Sequence, residues 1–250
     1  MKANYKIGIT LFILGVIGVL SLLTVSINLD LPKEVQNTIS PTTLKLLILV
    51  NPAILLVVAI LFGTTLYQKV DFSVPTIANL LHIEKSEITF IEQVKYGIGL
   101  GIITGVLTTL MGIIFKSSIP KEFIEMGEKI KLTSFARFTY GGFTEEILMR
   151  FGFMTLVVWI VFKITKKLEN QVYWIGIILA TLLFAVGHLP AVYTAVQNPT
   201  FDLIIYIIIG NSIAGVFFGW LYWKKGLEAA FIAHIFAHMV MLLAERFLIS

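Results

Sequence analysis

The sequence predicts an all-α membrane protein, a bundle of about seven transmembrane helices (or eight) with amphipathic segments at the interface. Three observations carry that prediction. The chain is 57% hydrophobic, with a mean hydropathy of +0.91. Only 14% of its 250 residues are charged, against about 25% in soluble domains. Its apolar residues also fall in runs close to the ~20 residues a helix needs to cross the hydrocarbon core.

Seven runs have that length: 7–29, 44–66, 96–115, 134–163, 172–189, 201–223 and 227–249. The first follows Lys2 and Lys6 and superficially resembles a signal peptide. Its apolar core exceeds the roughly 7–15 residues of a signal h-region, and no small-x-small cleavage site closes it, so it reads as a span. The second holds Pro52, a kink that neighbouring helices can accommodate. The fourth is long, fitting a tilted helix or a span with a short interfacial piece.

Two linkers separate these runs from one another. Segment 67–95 mixes Asp71, Glu84, Lys85, Glu87 and Glu92 with Leu80, Leu81, Ile83, Ile88 and Phe90, the pattern of an amphipathic interfacial helix. Segment 116–133 alternates Lys and Glu and reads the same way. Gly97, Gly101 and Gly105 are four apart, as are Gly215 and Gly219, and such faces let helix backbones approach closely. Residues 1–133 are expected to form N-terminal membrane helices and linkers, and 134–250 a helical catalytic core, in one compact membrane domain.

Charge orients the chain. With seven spans, Lys2 and Lys6, then Lys163, Lys166 and Lys167, then Lys224 and Lys225 share one side, which the positive-inside rule makes cytoplasmic. Lys116, Lys121, Lys129 and Lys131 conflict with this, since the count puts them outside. The net charge of +4 lies in short loops, as orientation signals do. Nucleic-acid binding would need a basic face on a soluble domain, so no such partner is expected. With no cysteine, disulfides, thiol nucleophiles and thiolate metal ligands are excluded.

The chemistry lies in ionisable residues inside the apolar runs. A charged side chain at mid-bilayer costs about 2.5–3.5 kcal/mol on insertion scales, so its default reading is functional. Glu145, Glu146 and Arg150 share the fourth run. Glu146 and Arg150 are four apart with the acid first, the favourable order for an ion pair on a helix. Glu145 is rotated about 100° away on an α-helix, with Met149 four residues on, and is left to face a cavity and do general acid–base work. The structural alternative is a salt bridge plus one acid at the lipid edge.

His188 ends the fifth run, and His234 and His238 lie at i and i+4 in the last. That spacing can hold a metal or aim two imidazoles at one oxygen. The intervening Ile-Phe-Ala lacks the internal glutamate of HExxH, so this is not a zincin. A lone buried histidine is more often structural, but three beside a free glutamate point to one shared site. His82 lies in a polar linker and reads as interfacial. Asn211 and Ser212 could hydrogen-bond between helices, the commoner role in a bundle, or line the same cavity.

Glu145-Glu146-xxx-Arg150, Phe184-xxx-His188, and His234 with a polar residue four later resemble the CPBP family of intramembrane proteases. That family includes CAAX prenyl endopeptidases and bacterial bacteriocin-processing, bacteriocin-immunity and lysostaphin-resistance proteins. The resemblance covers roughly residues 134–245. It implies that Glu145 and His188 activate water and that His234 and His238 stabilise the oxyanion. Many members carry asparagine where this chain has His238.

The expected activity is therefore an intramembrane endopeptidase acting on a membrane-associated peptide or protein in the lipid bilayer, in a multi-pass protein of a bacterial cell membrane. Glu145, Glu146, His188, His234 and His238 are the candidate catalytic residues, with Arg150 positioning them. No cofactor is required in this reading. A zinc-dependent version would use Glu145, His188, His234 and His238 as ligands. A non-catalytic immunity or transport protein, binding a peptide or ion in the same cavity, is the reading from a different class.

Overall fold

The computed structural model describes residues 4–27, 40–83 and 85–249. Lys2, Glu84 and positions 28–29 of the first expected run lie outside the described residues. Among those described, seven helices are long and apolar enough to cross a membrane: Asn4–Thr24, Lys45–Val70, Phe90–Ile114, Ser134–Thr165, Asn170–Ala195, Phe201–Lys225 and Leu227–Phe247. They are numbered here as the first to seventh spans. The protein is an all-α, multi-pass integral membrane protein.

Its surface fits that solvent. Large apolar side chains such as Ile13, Ile54, Leu61, Ile103 and Ile178 face outward, while Gln93, Thr144, Glu146, Arg150 and His234 are buried. Lipid tails are as apolar as leucine, so only the polar side chains gain from facing inward.

Several boundaries differ from expectation. The first span ends at Thr24, and β1 (Ser26–Ile27) pairs antiparallel with β2 (Ile130–Lys131). This two-residue ladder ties the end of the first span to the start of the fourth. The third span starts at Phe90, because Thr89 caps it by accepting from the Glu92 backbone N–H. That start takes the end of the 67–95 linker, whose one helix outside the spans, among the described residues, is the short Pro75–Leu80. Left-handed backbone at Asp71 and His82 (φ 54° at each) brackets that helix and limits its length. In the other linker, the expected amphipathic helix forms over Lys121–Lys129.

Small residues seat the second half of the chain. The Gly97, Gly101 and Gly105 stripe lies against the seventh span, where a Cβ at Gly101 would fall 2.5 Å from the Ala233 carbonyl oxygen. Ala229, Ala233 and Ala237 complete this close approach. Gly215 and Gly219 lie against Thr181 and Ile177 of the fifth span. The first span meets the fourth where Thr144 Oγ1 donates to the Gly15 carbonyl at 2.9 Å.

A buried polar knot fixes the start of the seventh span. Glu228 accepts from the Ile77 backbone N–H at 2.8 Å and from Gln93 Nε2 at 3.0 Å. Gln93 Nε2 also donates to the Lys225 carbonyl at 2.8 Å. Gly226 turns the chain here at φ 83°, with Pro75 Cδ only 2.3 Å from where a Cβ would sit, so both conformation and space require glycine.

Candidate active site

The fourth span is α-helical over Ser134–Ala136 and Thr155–Thr165, and π-helical over Arg137–Glu145 and Ile147–Met154. A regular 3.6-residue helix is expected from the sequence. The wider winding, with i→i+5 hydrogen bonds, is a rare form that is frequent at functional sites. Glycines accompany it on its packed faces: a Cβ at Gly142 would meet Ile235, and one at Gly152 would meet Ala59.

The two adjacent glutamates have different surroundings. Glu146 is fully buried, with Oε2 3.2 Å from Arg150 Nε and Oε1 2.8 Å from His234 Nδ1. Arg150 is itself fully buried, its Cζ 5.7 Å from the centre of the Phe184 ring. The Glu145 side chain is 21% exposed, and its Oε2 lies 3.8 Å from His234 Nε2.

Glu145, His188, His234 and His238 line one cavity of about 220 Å³, together with Tyr140 and Asn211. His188 stands where the fifth span breaks between helices Asn170–Gly187 and Leu189–Ala195. Pro190, lacking an N–H, causes that break. His188 Nδ1 lies 2.8 Å from the Phe184 carbonyl oxygen, which can only accept, so Nδ1 carries the proton. In the neutral ring Nε2 is then an acceptor.

The Phe184 ring meets His188 edge-on at 4.7 Å. Phe218 lies against the His234 ring at 4.9 Å, and the His238 ring stacks on that of His234 at 4.9 Å and 23°. A Cβ at Gly141 would fall 2.8 Å from His238 Nε2 and 3.2 Å from His234 Nε2. Both Nε2 atoms therefore converge on a patch of fourth-span backbone that glycine leaves open.

Three residues escaped the sequence reading: Gly141, Tyr140 and Arg137 all line the cavity. Asn211 lines it too, while donating to the Ile207 carbonyl at 2.8 Å. Of its two expected roles Asn211 takes the cavity-lining one, since this hydrogen bond stays within its own helix. His82 sits in an exposed turn.

A second, mostly apolar groove of about 490 Å³ runs between the second, fourth and fifth spans. Leu55, Phe62, Met149, Leu156 and Leu183 are among its walls, and it shares Glu145, Phe184 and His188 with the polar cavity. Among the described residues, no group of three or more His, Asp or Glu side chains is arranged to hold a metal ion. The zinc set named above therefore does not form a metal centre in this conformation.

Residues 128–240 match the family model described as Type II CAAX prenyl endopeptidase Rce1-like. No curated protein and no solved structure matches the chain. The match covers the fourth to sixth spans and the seventh as far as residue 240, which carry the motifs and most of the cavity lining, and indicates a protease, a hydrolase of peptide bonds. Residues 128–240 of this multi-pass membrane protein are thus similar to the Rce1-like type II CAAX prenyl endopeptidases, which supports the resemblance to the CPBP family of CAAX-type proteases.

Proposed function

We propose that the chain hydrolyses a peptide bond in a membrane-associated peptide or protein, using water activated by Glu145 and His188. The observation that carries this reading is the gathering of Glu145, His188, His234 and His238 around one cavity inside the spans. The apolar groove that meets the cavity at Glu145 and His188 supports a substrate with an apolar portion beside its scissile bond.

The steps follow from the donors and acceptors present. His188 Nε2 accepts from a water molecule and orients it. Glu145 takes one proton from that water as its oxygen attacks the peptide carbonyl carbon. The carbonyl oxygen becomes an oxyanion between the Nε2 atoms of His234 and His238. On collapse the C–N bond breaks, and Glu145 passes its proton to the departing nitrogen, regenerating the carboxylate.

Glu146 sets the state of His234. Its ionised carboxylate only accepts, so Nδ1 is the donor in their 2.8 Å contact. Nε2 then donates to an oxyanion as part of the imidazolium, whose charge Glu146 balances. Arg150 in turn holds Glu146. These two are positioning residues. The 134–250 segment supplies every group named here, while the third span seats the seventh.

The test is cleavage of lipidated peptides and leader peptides in liposomes, with fragments identified by mass spectrometry. Cleavage at one bond is expected from wild type and not from Glu145→Ala. Peptide flux across the bilayer with every bond intact would overturn the reading in favour of transport.

A further inference from the structure

Asn211 stands near the middle of the sixth span, and neither the motifs nor the mechanism uses it. It reaches the cavity from a helix face that also carries Ile207, Gly210, Ala214 and Phe218. Residues at these three- and four-residue spacings share one side of a helix. An amide so deep in a span is costly unless its polar atoms find partners. Asn211 Nδ2 lies 2.8 Å from the Ile207 carbonyl oxygen, which can only accept, so the nitrogen of the amide faces the helix backbone. Oδ1 is the atom left over. It has no hydrogen-bond partner among the described residues and is not sealed off from the cavity. Gly210 beside it is buried, yet a Cβ there would meet nothing within 4 Å. The wall is therefore low at this point, with room for a peptide main chain to approach the amide.

We infer that Asn211 is a recognition residue for the substrate's main chain, its Oδ1 accepting from a peptide N–H beyond the bond that is cut. The inference rests on the protease reading and names how the substrate is held. A peptide drawn in among the spans brings N–H groups that need acceptors. Helices bond their own carbonyls internally, so acceptors at that depth come from side chains. Ile207, Ala214 and Phe218 offer none, and Glu145 is committed to the attacking water.

Position decides which part of the substrate is read. Asn211 lines the polar cavity and not the apolar groove, and the two meet at Glu145 and His188. The N–H it binds therefore lies on the far side of the scissile bond from the substrate's apolar portion. Every residue except proline carries that donor, so the contact fixes register without selecting a side chain.

The test uses the full-length protein in liposomes with a farnesyl-cysteine peptide and its ester analogues. Each analogue replaces one main-chain N–H by oxygen, on the side of the cleaved bond away from the farnesyl group and sparing the scissile amide. Wild type is expected to lose roughly fivefold to fiftyfold in kcat/KM at one position and little at the others. Asn211→Leu removes both polar atoms at similar volume, and should cleave that analogue and its parent equally well. Asn211→Ser should keep part of the preference, because a hydroxyl can donate to the Ile207 carbonyl and still accept from the peptide.

Wild-type cleavage that is insensitive to every ester would overturn the inference and leave the protease reading standing. The same ester effect persisting in Asn211→Leu would overturn it too, and assign the contact to another cavity group such as Tyr206. A uniform loss on parent and esters in Asn211→Leu, with a lowered thermal midpoint, would reduce Asn211 to a brace within its own helix. No cleavage of any peptide by wild type would remove the protease reading, and this inference with it.

Discussion

At the residue scale, Glu145 and Glu146 differ by their partners alone. Glu146 has Arg150 on one oxygen and His234 on the other, whereas Glu145 keeps an exposed face on the cavity. Removing one member of a buried ion pair strands its partner, at a cost of about 3–5 kcal/mol. Arg150→Ala should therefore lower the stability of the detergent-solubilised protein by about that amount, read as a fall in thermal midpoint. The oxyanion groups should separate from this. His234→Ala and His238→Ala should each lower kcat by about 10²–10³, the typical loss for one oxyanion donor. Near-wild-type turnover in either variant would remove that residue from the proposed mechanism. The Glu146–Arg150 pair was legible from its spacing. The Glu146–His234 contact was not, because it joins residues 88 apart in sequence and only tertiary packing brings them together.

At the scale of elements, hydrophobic run length identified all seven spans, because a lipid-facing surface must be apolar throughout. It did not reveal the π winding of the fourth span, because the length of an apolar run carries no information on how tightly its helix is wound. That winding and Gly141 let the two imidazoles approach the fourth-span backbone. Gly141→Ala should be a sharp probe. Alanine is favoured over glycine in a helix by about 1 kcal/mol, yet its methyl group would sit within 3.2 Å of both histidine Nε2 atoms. Turnover should fall at least tenfold while the thermal midpoint changes little. Wild-type kinetics in this variant would contradict the proposed crowding. Gly101 tests seating instead: its Cβ would strike the Ala233 carbonyl, and overpacking of this kind costs about 1–3 kcal/mol. Gly101→Ala should lower stability and, by shifting the seventh span, activity as well. Unchanged stability would show that the two helices part without cost.

At the scale of the whole molecule, the protein turns the usual arrangement inside out, with lipid-facing aliphatic walls around a polar centre. Seven spans place the 116–133 segment and the 163–167 turn at opposite ends of the bundle. Lys6, Lys163, Lys166, Lys167, Lys224 and Lys225 favour the cytoplasm for the latter by the positive-inside rule, with Lys116, Lys121, Lys129 and Lys131 opposing. The absence of native cysteine permits labelling without background. Ser118→Cys should react with an impermeant maleimide in intact cells, and Lys167→Cys only after permeabilisation. Labelling of both from one side would break the seven-span topology. The sequence placed the chemistry in the second half of the chain because buried charge is costly in lipid. It did not show how the cavity meets the apolar groove, since those walls are aliphatic residues like any others facing lipid. That junction at Glu145 is central to the account. Its most direct test is single-turnover cleavage by wild type and Glu145→Gln, at matched thermal stability and with bound metal quantified. The account predicts cleavage by metal-free wild type and none by Glu145→Gln. Equal cleavage by the two proteins, or activity that rises in proportion to bound zinc, would contradict it.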